Sequence, residues 1–150
     1  MIKISTALLF GSETWPLLKR HKQELRVTEM KMLRWMCGVS RKDRVRNAHI
    51  RGSLGVRDIA DKLQECRLRW YGHVSRRPAS YVGNKCLAMP PPPDTGRSGR
   101  PKKRWLDVVK EDMRANGLTT RDAEDRAKWT RRSRKANPGS SRPARGHSRD

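Results

Sequence analysis

The stretch Arg67-Leu68-Arg69-Trp70-Tyr71-Gly72-His73-Val74-Ser75-Arg76-Arg77 sets two large aromatics among four arginines and a histidine. It reads as the C-terminal end of a helix that begins near Arg57. On a 3.6-residue wheel, Ile59, Leu63, Cys66, Trp70 and Val74 fall on one side, with Ala60 and Tyr71 at its edge. That side is a packing surface. Arg76 and Arg77 stand at the carboxyl end, where cations complement the helix dipole, and Pro78 prevents continuation. The plain reading is an amphipathic helix with a basic end. The functional reading makes Arg67, Arg69, Tyr71, His73, Arg76 and Arg77 a nucleic-acid contact.

Upstream, residues 17–37 carry a helical pattern in which Leu18, Leu25, Met32 and Met36 align. Leu33 and Cys37 widen the stripe, and Gly38 is a natural stop. Ser40 followed by Asp43 resembles a capping box, which predicts a short helix over residues 43–50. Gly52 and Gly55 bracket the turn into the next helix. Downstream, Pro90 to Pro93 favour an extended segment of about 3 Å per residue, and Gly96-Arg97-Ser98-Gly99 keeps the chain loose up to Pro101. Residues 78–100 are therefore expected to be a Pro/Gly-rich basic linker.

A third long helix is expected from Pro101, with Trp105, Val109 and Met113 on one face and Asn116-Gly117 as its end. Asp112 falls inside that apolar arc. A buried carboxylate needs a partner, most simply an arginine from the Arg57 helix; a wet position at the edge of the face is the alternative. Thr119 or Thr120 can cap a last helix from Arg121 to about Arg132, whose large apolar residue is Trp129. Residues 135–150, rich in Gly, Pro, Ser and Arg, are expected to be a disordered basic tail. The expectation is thus an all-α chain of three to five amphipathic helices. A helical region spans 1–77, the linker 78–100, C-terminal helices 101–134 and the tail 135–150.

The 150 residues carry a formal charge of +21 with 34% hydrophobic residues, which supports one domain at most and a core expected to be too small to be stable alone. Such an excess of Lys and Arg repels itself, and a polyanion that sheds counterions on binding relieves it. RNA or DNA is the leading partner. No apolar run reaches the length of a membrane span, and the helices lack the clean basic face of a membrane-surface helix, so a membrane is not expected. The apolar run Ala7-Leu8-Leu9-Phe10 is too short for an export signal and reads as a buried strand or helix end. An apolar start of this kind needs a partner surface, as in a chain cut from something longer. Cys37, Cys66 and Cys86, an odd number, make no disulfide framework and suit a reducing intracellular compartment.

Catalytic chemistry has little to build on. Glu111-Asp112 and Glu124-Asp125 occupy adjacent helical positions that splay apart, and neither Cys37 nor Cys66 has a nucleophile's constellation. Cys66 and His73 share a helical face, but seven residues put their backbones about 10 Å apart, too far for one zinc. No catalytic residue, metal ligand or cofactor is assigned. The segment Arg97-Ser98-Gly99-Arg100-Pro101-Lys102-Lys103-Arg104 contains the Gly-Arg-Pro core of an AT-hook, which inserts arginines into a narrow minor groove. Arg97, Arg100, Lys102, Lys103 and Arg104 are accordingly candidate contacts, of a stand-alone DNA-binding module or of a nuclear-import patch. A solvated linker is the plainer alternative.

Five strings in order carry a resemblance: Ala7-Leu8-Leu9-Phe10-Gly11-Ser12-Glu13-Thr14-Trp15, Lys31-Met32-Leu33-Arg34-Trp35, Asp43-Arg44-Val45-Arg46-Asn47, Leu68-Arg69-Trp70-Tyr71-Gly72-His73-Val74 and Gly99-Arg100-Pro101-Lys102-Lys103-Arg104-Trp105. Together they resemble the C-terminal, post-thumb part of non-LTR (LINE-type) retrotransposon reverse transcriptases, within which the chain looks most like RTE-type elements. The resemblance implies a region that holds template RNA or target DNA while an upstream polymerase portion copies the element at a nicked chromosomal site. It therefore implies the nucleus, with the cytoplasm as second compartment. The aspartates that hold two metal ions about 4 Å apart in such a polymerase have no counterpart here, nor has the family's endonuclease. Magnesium would belong to the parent enzyme, and this chain is expected not to be an enzyme.

Overall fold

In the computed structural model, residues 8–14, 16–90 and 103–134 are described. Their organising element is the helix Ile59–Ser75, here α3. Asp58 starts it by accepting a hydrogen bond from the Ala60 amide at 2.8 Å, satisfying one of the donors that a helix start leaves open. Before it come α1 (Lys19–Met36) and α2 (Asn47–Ser53). After it come α4 (Val82–Ala88), α5 (Trp105–Ala115), a 3-10 turn (Arg121–Ala123) and α6 (Arg126–Ser133). The described chain is all-α, and α3 touches α1, α4, α5, the 3-10 turn and α6.

Being surrounded, α3 buries more than one stripe. Ile59 and Leu63, on the expected face, pack against Leu17, with Leu8, Leu9 and Leu25 closing the edge. Roughly half a turn away on the wheel, Leu68 joins Val109, Met113, Leu118, Ala123 and Trp129 in a second core, flanked by Tyr71 and Trp105. A third cluster, Met30, Leu33 and Ile50, holds α1 on α2. Trp70 is only half-buried, its ring edge-on to Trp105 at 5.1 Å. Among the described residues the most enclosed aromatic is Trp129, the lone large apolar residue of α6.

Several boundaries differ from the sequence expectation for physical reasons. On α1 the buried residues are Glu29, Met30 and Leu33, while Leu18 is 39% exposed, so the helix is rotated toward α2. Asp43 does pair with Ser40, accepting from its amide at 2.6 Å and its hydroxyl at 2.8 Å, but this closes a turn of its own and the helix begins later, at Asn47. The expected 78–100 linker contains α4, tied to the end of α3 by Asn84, whose side-chain amide donates to the Arg77 and Pro78 carbonyls. No residue of α4 is buried, so it leaves no apolar signature to read. The tetraproline segment beyond Pro90, and the tail from residue 135, lie outside the described residues.

Pro101 also lies outside them. The α5 helix starts at Trp105, where Asp107 accepts from the Arg104 amide at 3.1 Å. The last expected helix is split. Asp122 accepts from the Thr119 amide and hydroxyl, both at 2.8 Å, and Asp125 then caps α6 by accepting from the amides of Ala127 and Lys128. The hydrogen bonds from Lys128 and Thr119 hold the Asp122 carboxyl well below the usual carboxylate range. Gly38 and Gly117, at φ 64° and 61°, end α1 and α5 as their sequence positions suggest.

One glycine is required by close approach. The indole Nε1 of Trp129 donates to the Leu68 carbonyl of α3 at 2.8 Å, passing directly over Gly72. A Cβ at Gly72 would lie 2.4 Å from that nitrogen. Gly72→Ala is therefore expected to lower stability by about 1–3 kcal/mol through overpacking, although alanine is the better helix former. Gly52→Ala, with nothing within 4 Å of its Cβ, is the control and should be neutral or stabilising. Denaturant unfolding of the two variants beside the parent measures the contrast; equal stabilities would mean that α6 does not seat on Gly72.

Candidate nucleic-acid interface

The arginines of the Arg67–Arg77 segment separate by helical phase. Arg67 points inward and is 0% exposed. Its Nε donates to Asp112 Oδ2 at 2.8 Å, and its Nη2 lies 2.7 Å from the same oxygen. Gln64 donates to the other carboxylate oxygen at 3.2 Å. Asp112 thus has the arginine partner from this helix that its place in an apolar arc demanded. The assignment of Arg67 as a nucleic-acid contact is corrected: a guanidinium enclosed by α3 and α5 and committed to a carboxylate cannot reach a phosphate.

Tyr71 requires a second correction. Its ring does not stand free at a rim but lies between Trp105 and Trp129, with centroid distances of 6.4 and 5.8 Å. It is part of the α3–α5–α6 core, and stacking on a base would require it to leave. The sequence wheel put Tyr71 at the edge of the wrong side, because the second core on Leu68 was not visible in a single-stripe reading.

Arg69, His73, Arg76 and Arg77 are exposed and come together. With Lys62 and Glu65 of α3 and Arg126, Thr130, Ser133 and Arg134 from the C-terminal helix, they line an open groove of about 1020 Å³. Lys62, Arg69, His73 and Arg76 recur at spacings that place them along one face of α3. The lining contains six Lys or Arg side chains and one carboxylate, Glu65. Glu65 is shared by Lys62 Nζ at 2.9 Å and Arg69 Nη2 at 2.8 Å. The net field in the groove is strongly positive.

Local bonds hold these cations in place. Arg76 Nη1 donates to the Ala123 carbonyl at 2.7 Å, pinning the end of α3 to the 3-10 turn. Desolvation and then the charge of Arg126 pull the Arg76 pKa below its ordinary value, although the guanidinium stays protonated. An anion between the two would relieve that repulsion. The Arg77 guanidinium lies 5.8 Å above the Tyr81 ring, and the His73 ring meets Tyr81 edge-on at 6.5 Å. The groove is therefore an open channel lined mostly by cations.

Of the Gly-Arg-Pro segment's candidates, Lys103 and Arg104 are described, and neither lines this groove. Arg97, Arg100 and Lys102 fall outside the described residues, Lys103 is paired with Glu111, and Arg104 is exposed at the start of α5. Lys62, Arg126 and Arg134 were missed by sequence reasoning. Their signal was the i, i+4, i+8 spacing of Arg126, Thr130 and Arg134, but only the packing of α6 on α3 turns that face toward Arg69 and His73.

Among the described residues no three His, Cys, Asp or Glu side chains gather as a metal site, and burial pushes the Cys66 thiol pKa up, away from a reactive thiolate. No described helix is long and apolar enough to cross a membrane.

Over 122 residues, 79% of its length, the chain is 30% identical to an uncharacterized transposon-derived protein of Caenorhabditis elegans. It spans 42% of that protein's length. The chain is thus similar to a transposon-derived protein. No family model matches it, and no solved structure does.

The burial of the Arg67–Asp112 pair can be tested directly. Asp112→Ala strands a buried guanidinium and is expected to cost about 3–5 kcal/mol, whereas replacing both partners at once by Met at 67 and Leu at 112 should recover most of that loss. Urea unfolding of the single and double variants measures the coupling. If Asp112→Ala is as stable as the parent, Arg67 is not enclosed and becomes a surface contact again.

Proposed function

We propose that this chain is the nucleic-acid-binding C-terminal part of a non-LTR, RTE-like retrotransposon reverse transcriptase, holding template RNA or target DNA and carrying no polymerase active site of its own. The observation that carries the reading is the groove between α3 and α6, where six cations face one carboxylate that two of them already share. The ordered motifs that resemble the post-thumb region, and the similarity to a transposon-derived protein, agree with it. In this reading the partners are RNA or DNA and an upstream polymerase portion, and the compartment is the nucleus.

Mechanistically the role is positional. Arg69, Arg77, Arg126 and Arg134 would neutralise successive phosphates, while Arg76 and His73 fix the channel's wall. Contacts of this sort carry little sequence information, which suits a region whose task is to keep a long template or a nicked duplex engaged. Catalysis, and the metal ions it needs, would lie in the upstream portion.

The expected signature is ionic. Replacing Arg69, Arg77 and Arg126 together by Ala should reduce the slope of log Kd against log salt by about 0.7–0.9 per lost phosphate contact, roughly 2–3 in all. Thermal unfolding should barely change, since none of the three is buried. Fluorescence anisotropy with a structured RNA at several salt concentrations measures the slope. A slope equal to the parent's would remove the groove from the interface. The purified chain should also give no primer extension with magnesium or manganese, while its addition to the upstream polymerase portion should raise template capture; extension by the chain alone would overturn the reading.

A further inference from the structure

A second surface, sharing no lining residue with the α3–α6 groove, lies on α1 and the loop after it. There Trp35 is 83% exposed near the end of α1. Val27, Lys31 and Trp35 recur at i, i+4 and i+8, so they stand in one row on the helix. With Met30, Val39 and Arg41 they line an open groove of about 910 Å³. An indole left this open is unusual when three other tryptophans of the described chain are wholly or partly buried in the core.

The charge around Trp35 is specific about what could cover it. Arg34 is committed to the fold: its Nη2 donates to the Val45 carbonyl at 2.7 Å and to Asn47 Oδ1 at 3.0 Å, fixing the loop against α1. Among the described residues the one carboxylate lining the groove, Asp58, is taken by Arg26 and Arg51 at 3.1 and 3.3 Å. Lys31 and Arg41 meet no carboxylate among the described residues, and they line the same groove as the indole. An aromatic face over an apolar floor, bordered by two uncommitted cations, matches a ligand that alternates flat apolar faces with negative charge.

We infer that the Trp35 surface takes unpaired bases, stacking one on the indole while Lys31 and Arg41 hold the adjoining phosphates, so that the chain's ligand is single-stranded or carries a single-stranded stretch. A duplex offers phosphates without free base faces, and would leave the indole in water. The inference rests on the nucleic-acid reading proposed above and deepens it: the α3–α6 groove binds phosphate of either form, and the α1 surface selects the unpaired form.

The test uses the full chain, a labelled oligouridylate and a labelled blunt RNA duplex, read by anisotropy at one low salt concentration. Trp35→Ala should weaken oligouridylate binding about 5- to 100-fold, leave duplex affinity within about twofold, and be largely rescued by Trp35→Phe. Because the indole is exposed, the variant should melt with the parent, which circular dichroism verifies. Equal losses on both ligands, or no loss on either, overturn the inference; the second outcome would mark the patch as a protein-docking face. If the parent binds neither ligand, the nucleic-acid reading itself fails, whereas duplex binding that depends on Arg69, Arg77 and Arg126 but ignores Trp35 sinks only this inference.

Discussion

The ion pair between Arg67 and Asp112 is the constraint on which the arrangement depends. Both groups are withdrawn from water, so each tolerates its position only while the other is present. Their bond joins residues 45 positions apart and sets the register of α5 on α3. Once that register is set, Val109 and Met113 meet Leu68, and the loop after α5 brings the 3-10 turn beneath Arg76. Trp129 then closes the arrangement by lying over Gly72. At the opposite side Trp105 donates to the Glu13 carbonyl at 2.7 Å, tying the same helix to the N-terminal turn.

The surface chemistry is a product of this packing. A helix enclosed on most of its circumference keeps only a narrow strip for solvent, and on α3 that strip holds Lys62, Arg69, His73 and Arg76. Docking of α6 lays Arg126 and Arg134 alongside, so cations from distant parts of the chain are concentrated in one channel. The energy that keeps like charges together comes from the buried core under them rather than from any contact among themselves. Nucleic acid, the partner proposed above, would relieve a repulsion that the fold already sustains.

Much of this was legible in residue order, and the failures share a cause. The extents of α1 and α3, the stops at Gly38 and Gly117, and the need of Asp112 for an arginine are all encoded in local pattern. Tyr71 and Arg67 were misplaced, and Leu68 was left unplaced, because a wheel assumes one buried stripe, and α3 has buried positions on two roughly opposite faces with Arg67 between them. The short helix Val82–Ala88 escaped because it buries nothing and is held by hydrogen bonds from Asn84. Within the candidate site, four of the six anticipated residues of the α3 segment do share one surface, namely Arg69, His73, Arg76 and Arg77. The contribution of α6 depended on a tertiary contact between Trp129 and Leu68, 61 positions apart, which no local pattern encodes.

That separation has a consequence for how the chain is made. The Leu68 carbonyl and the bare notch at Gly72 leave the ribosome about 60 residues ahead of the indole that covers them, a lag of roughly 3–12 s at ordinary elongation rates. Arg67 waits 45 positions for Asp112, and the notch at Gly72 stays uncovered for the whole of the interval. The contact of α6 on α3 is therefore a late one in the order of synthesis. A chain that stops short of Trp129 carries α3 with Gly72 and the Leu68 carbonyl uncovered, so the seat of α6 is built long before its occupant.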